Sequence, residues 1–174
     1  TPFAQMSEAA GGMLTGDSIL FVDGFDRALK IPDKGYPGMS LQKTESEKAI
    51  RGSNEGFGDS IKQNTALIRK RLRSVDLKVA ECKCGRRTGT NVDIMYLDGI
   101  VRPEIVTQMQ QRLAAFEIDG IGDSGVIEQL TETQWFSPFP QYQTTRRPDR
   151  AVMALLEGRA VLLADNSPEV LIFP

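Results

Sequence analysis

An α/β fold of mixed sheets with flanking helices, forming two small subdomains separated by a groove, is predicted by three observations. Apolar residues recur at helical spacing in several segments, apolar strand-like runs come in pairs joined by turn residues, and one helix–hairpin pattern occurs twice. The two copies are related by the offset of 142 residues that separates Leu14 from Leu156. At that offset Leu14, Gly16, Leu20, Asp23, Leu29 and Pro32 meet Leu156, Gly158, Leu162, Asp165, Leu171 and Pro174 without a gap. Two readings stand: hairpins of one general design, or two equivalent hairpins in one sheet or at one hinge. Either brings the ends of the chain together.

The elements follow in order. Residues 3–14 carry Phe3, Met6, Ala10 and Met13 on one helical face, and Gly16 stands where a helix end needs positive φ. Strands are expected at 18–23 and 26–31, around the turn pair Asp23-Gly24. Residues 32–56, rich in Gly, Pro, Ser and Glu, have no long period. A helix over 55–73 buries Phe57, Ile61, Thr65, Ile68 and Leu72 as one stripe. Leu77 to Cys84 and Asn91 to Leu97 read as strands joined by the polar turn 85–89. Pro103 opens a helix whose inner face is Ile105, Met109, Leu113 and Phe116. Asp123-Ser124 caps a short helix over 124–131. Residues 133–150 are a Pro- and aromatic-containing connection, followed by a helix at 149–157 and the second hairpin, 160–173. The expected division is 1–75 plus 151–174, holding both repeated hairpins, against 76–150. The groove between them is a natural place for a small ligand. A chain that begins at Thr1 and stops in the apolar Ile172-Phe173-Pro174 reads as an excised domain.

Composition narrows the chemistry. The 174 residues carry a formal charge of −2, with 25% charged and 40% apolar side chains, so no strong field points to nucleic acid or anionic lipid. Histidine is absent, and Gly-Asp-Ser at 16–18, 58–60 and 122–124 therefore lacks the base that a serine nucleophile uses. No catalytic residue, metal or cofactor is expected, and no enzymatic activity. Cys82 and Cys84 are too few for a structural zinc site and lie on one face of a strand, where a disulfide would be strained. They read as free thiols. The basic run Arg69, Lys70, Arg71 and Arg73 complements the C-terminal end of its helix, or joins Arg86 and Arg87 in an anion or partner surface.

Ordered motifs add a resemblance. Thr44-Glu45, Ile50-Arg51-Gly52, Glu55-Gly56-Phe57, Ser60, Asn64 and Leu67-Ile68-Arg69-x-Arg71 come first. Gly85-Arg86-Arg87-Thr88, Gly99-Ile100, Pro103, Ile118-Asp119-Gly120-Ile121 and Asp123-Ser124-Gly125 follow. Ser137-Pro138-Phe139-Pro140-Gln141, Arg147-Pro148-Asp149, the run Ala154 to Arg159, and Ser167-Pro168 close the series. With these pieces in this order over 44–174, the chain resembles the soluble N-terminal domain of the A subunit of bacterial spore germinant receptors, the GerA family. Cys82-Lys83-Cys84 departs from the ordinary strand residues of that pattern.

The resemblance implies a subunit that acts with B and C subunits, and with other A subunits, in the spore inner membrane, anchored by the segment after Pro174. This domain is then soluble and on the interior side, as free thiols and the lack of an export signal also suggest. It implies a nutrient signal (an amino acid, sugar or nucleoside) that triggers germination. The ligand-binding candidates are Arg51, Glu55, Asn64, Arg69, Arg86 and Arg87, since guanidinium forks pair with carboxylates. The alternative role for Arg51 is to pin the loop 32–56 to the helix behind it. The interface candidates are Trp135, Phe136, Phe139, Tyr142, Arg146, Arg147 and Arg150, because aromatics and Arg are favoured at interfaces. The same aromatics could instead seal a seam between lobes. The expected function is germinant sensing and signal relay, or else assembly and gating without nutrient binding.

Overall fold

A computed structural model describes residues 2–3, 5–32, 55–116, 118–132 and 141–174. Its elements run β1 (Pro2–Phe3), α1 (Met6–Leu14), β2 (Ser18–Leu20), β3 (Ala28–Ile31), α2 (Ile61–Arg71), β4 (Leu77–Cys84), β5 (Thr90–Leu97), α3 (Pro103–Ala114), α4 (Ser124–Thr131), β6 (Gln143–Thr145), α5 (Pro148–Leu156), β7 (Ala160–Ala164) and β8 (Val170–Phe173). They make a mixed α/β fold of two antiparallel sheets, ordered β1-β3-β2 and β4-β5-β7-β8-β6.

The five-stranded sheet carries the core on both faces. Side chains of Met95, Leu97, Val161, Leu163, Val170 and Ile172 pack with α2 and α5 on one side. Val92, Ile94, Leu162, Ala164, Leu171 and Phe173 pack with α3 and α4 on the other. Every residue of β7 and β8 is buried, which is why both strands read as unbroken apolar runs rather than alternating ones.

That burial corrects the expected division of the chain. The C-terminal hairpin does not share a sheet with β2 and β3, and β4–β5 do not form a sheet of their own. Instead β5 pairs with β7, from Val92 opposite Ala164 to Met95 opposite Val161. A strand apolar on both faces belongs in mid-sheet with a partner at each edge, and for β7 those partners are β5 and β8. Two further differences are local. The first helix begins at Met6, because Pro2 and Phe3 pair with β3. The second begins at Ile61, because residues 56–60 are tied across the fold as non-helical chain, with the Phe57 N–H donating to the Arg146 carbonyl. Other signals appear as expected: Pro103 opens α3, and the Asp123 carboxylate caps α4 by accepting from the Val126 N–H at 3.1 Å.

The repeat is structural. Shifted by the same 142 residues, α1 falls on α5 at both ends, and the pairs Ser18–Ile31 and Leu20–Leu29 fall on Ala160–Phe173 and Leu162–Leu171. The third strand follows, since Pro2–Leu29 and Phe3–Ala28 fall on Thr144–Leu171 and Thr145–Val170. Gly16 and Gly158 end their helices with φ of 89° and 83°, and the turn positions Gly24 and Asn166 both take positive φ. Two equivalent βαββ units therefore exist, in two different sheets.

Candidate functional site

Three polar clusters carry the residues singled out above. The first stitches the segment before α2 to the rest of the fold. Asn64 is fully buried in α2, and its amide closes a two-way pair with Gly58: the Gly58 N–H donates to Oδ1 at 2.9 Å, and Nδ2 donates to the Gly58 carbonyl at 2.7 Å. Glu55 accepts from Arg71 at 2.8 Å and from Lys70 at 3.2 Å. Asp165, in the β7–β8 turn, accepts from the Ile61 N–H at 3.2 Å and so caps the start of α2 from a distant part of the sequence. The Asn166 N–H donates to the Asp59 carbonyl at 2.8 Å. Arg69 is exposed on α2.

Burial by itself would push the Glu55 carboxyl up, but the hydrogen bonds from Lys70 and Arg71 outweigh it and hold the group below its ordinary value of 4.5. A depressed folded-state value means stability that is present above the unfolded-state value and lost as pH falls through the folded one. We therefore expect Glu55→Gln to lower the melting temperature at neutral pH, by about 1–2 kcal/mol in stability terms. That difference should close as the pH is taken below the ordinary glutamate range. A pH series of thermal melts on both proteins checks it.

The second cluster is the β4–β5 turn. The Arg86 N–H donates to the Ile118 carbonyl, and the Arg87 and Thr88 N–H groups donate to the Asp119 carbonyl. Thr88 Oγ1 accepts from the Ile121 N–H at 3.3 Å and lies 3.0 Å from Thr90 Oγ1, which donates to the Ile121 carbonyl at 3.1 Å. Backbone bonds thus lock the turn to the chain after α3. The Arg86 and Arg87 side chains stay exposed, with Arg87 3.4 Å from Asp119. Lys83, Arg86, Phe116 and Asp119 are among the residues lining a cavity of about 550 Å³ there.

Gly85, at φ +87°, makes the lock possible. A Cβ there would stand 2.5 Å from Thr88 Oγ1 and 3.2 Å from Gly120 Cα. Gly85→Ala should therefore cost about 2 kcal/mol or more, combining left-handed backbone strain with the clash. Gly24→Ala is the control, because it has positive φ but nothing within 4 Å of its Cβ, so it meets the strain alone. Paired denaturant titrations should rank the two in that order.

The third cluster holds the interface candidates. Tyr142 is buried, its ring 4.4 Å from that of Phe173, and its hydroxyl donates to the Thr131 carbonyl at 2.6 Å. Arg112 donates to the same carbonyl at 3.2 Å. Arg146 forks onto Glu169 at 2.8 and 3.1 Å, and Arg147 onto Asp149 at 2.5 and 3.0 Å. The Arg147 bond holds the Asp149 carboxyl below its ordinary range. Arg150 is exposed on α5. Arg51, Trp135, Phe136 and Phe139 lie outside the described residues.

The candidates are therefore not gathered in one place. Glu55, Asn64 and Arg69 belong to the α2 side of the five-stranded sheet, whereas Arg86 and Arg87 stand at the turn clasped by the segment after α3. Asp165, Glu169 and Arg112 complete these clusters, yet the sequence marks Asp165 only as a turn position of the repeat and the other two not at all. Each meets its partner across a long stretch of chain. Among the described residues no group of three metal-ligating side chains comes together. Cys82 and Cys84 are free thiols whose pKa values burial pushes up. No helix among the described residues is long and apolar enough to cross a membrane.

The family model of the Bacillus/Clostridium GerA spore germination protein matches residues 1–174. Relatives in Bacillus subtilis include the uncharacterized membrane protein YfkQ, 40% identical over 98% of this chain and 33% of its own length. Another is spore germination protein KA, 36% identical over 93% of this chain and 30% of its own length. The chain thus spans about a third of the relatives it matches. The crystal structure of the N-terminal domain of the A subunit of the Bacillus megaterium spore germinant receptor GerK3 has the same fold, with a TM-score of 0.72 and 33% identity over 99% of this chain and 61% of that one. Matched from end to end by the family model, and aligned to these Bacillus proteins along nearly all of its length, the chain belongs to the GerA family of spore germination proteins.

Proposed function

We propose that residues 1–174 form an extramembrane domain of a nutrient germinant receptor A subunit, contributing to germinant sensing and to the signal relay that starts spore germination. The observation that carries the relay is the stitching around Asn64. Three segments distant in sequence are held to one another by directional bonds, at Phe57 to Asn64, at Arg146 and at Asp165-Asn166, so a force at one is felt at the others. Such a body moves as a unit and suits transmission better than catalysis. The partners on this reading are B and C subunits and other A subunits. The membrane is reached through the rest of the longer protein, in the spore inner membrane with this domain on the interior side.

For sensing, the supporting feature is the cavity beside the β4–β5 turn. Lys83 and Arg86 stand there with Asp119, charges of both signs that fit the two ends of an amino acid. A two-dimensional amide titration with separate amino acids, sugars and nucleosides tests this. Saturable shifts at 83–88 and 116–119, lost in Arg86→Ala with an unchanged melting temperature, are the expected result. A flat response to every nutrient would remove sensing from this domain.

The second reading, an assembly and gating module, is favoured by the dispersal of the ligand candidates over both sides of the sheet. Under it Arg146→Glu, at a half-exposed ion pair of small energetic weight, leaves folding intact and weakens co-purification with the other subunits. Unchanged co-purification counts against this reading.

A further inference from the structure

The two βαββ units differ in what covers them. In the second, β7 has a strand on each edge, and the sheet face formed by Leu162, Leu171 and Phe173 lies under α3 and α4. In the first, β2 is an edge strand among the described residues, and the equivalent residues Leu20, Leu29 and Ile31 are 46%, 47% and 46% exposed, against 0%, 0% and 4% in the second. The other face is packed in both: Ala9 and Gly12 of α1 and Ala28 of β3 are buried in the first, as Ala151 and Ala154 of α5 and Val170 of β8 are in the second. The first unit thus keeps the apolar side chains of a covered sheet face and the open edge of an inner strand. An apolar face beside an unpaired edge is a surface built to be covered.

We propose that residues 2–31 are the closing half of a second copy of the unit formed by residues 55–173. Its edge and face are completed by a segment of the longer protein lying before residue 1 and folded like β4, β5, α3 and α4. The order of elements argues for the source. In the complete copy these covering elements precede β6, the strand equivalent to β1, so the repeat puts their counterparts ahead of β1. Length allows it, since this chain accounts for 61% of the matched N-terminal domain of the GerK3 A subunit.

The repeat also specifies the fit. An antiparallel strand lies along Ile19–Val22 as Met95–Val92 lies along Val161–Ala164. A helix then presents apolar residues to Leu20, Leu29 and Ile31, as Met109, Leu113 and Ile127 do to their counterparts.

Hydrogen exchange on the full-length protein tests this, with residues 1–174 alone as the comparison. The backbone amides of 18–22 should exchange far more slowly in the full-length protein, while those of β7 are protected in both. Leu29→Glu should lower the melting temperature of the full-length protein by several degrees and shift that of residues 1–174 by about 1 °C or less. Equal protection of 18–22 in both proteins would assign the cover to this chain itself, and protection lost on dilution would assign it to a second copy. Fast exchange in both would leave the face bare. Each of these three results overturns the proposal.

Discussion

Replacing Asn64 by Ala should lower the stability of this chain by about 3 kcal/mol, since two buried backbone groups are orphaned at about 1–3 kcal/mol each. Among the described residues the Asn64 side chain is the partner of both the N–H and the carbonyl of Gly58, and it is fully buried. For a chain of this length that is a fall in melting temperature of roughly 10 °C. Asn64→Asp should fall between the two, because a carboxylate still accepts from Gly58 N–H but sets a charge against the Gly58 carbonyl. Thermal melts of the three proteins decide the matter. An Asn64→Ala protein that melts with wild type would mean that segment 55–60 is not held as described, and would remove the observation on which the relay rests.

Leu162→Ala should cost about 2–5 kcal/mol, the usual range for emptying a closed leucine site. Leu20→Ala, at the equivalent position of the other βαββ unit, should cost under about 1 kcal/mol, because Leu20 is already half in water. Strand, register and residue type are the same at the two positions. Only the cover differs, so the gap between the two values measures what α3, α4 and β5 contribute to the second unit. Urea titrations of residues 1–174 give both numbers. Equal costs would mean that Leu20 is covered in solution by some part of this same chain.

Much of this architecture is legible in the amino-acid order because it is encoded by neighbours. Pro103, Asp123 and Gly158 mark helix ends through backbone geometry that each residue sets for itself or for positions a few residues away. The offset of 142 residues survives into strand register because a hairpin's register follows from its own turn and apolar pattern. Where the reading goes astray, at the start of α2 and the short strand β6, the decisive partner is remote. Phe57 is held by the Arg146 carbonyl, and β6 has few residues and pairs with β8 across the intervening α5 and β7.

The candidate site divides the same way. Motif order picks out Glu55, Asn64 and Arg147, and interface composition picks out Arg146, but Gly58 as the partner of Asn64 and Glu169 as the partner of Arg146 become visible only in the folded chain. Local order along the chain settles helices, turns, the repeat and the family, since those depend on contacts between residues close in sequence. Folding in three dimensions settles which hairpin joins which sheet, that β7 and β8 are covered on both faces, and that the signature polar residues bind one another. Strand edges and buried polar groups choose partners by geometry and desolvation, and neither leaves a spacing rule in a single chain.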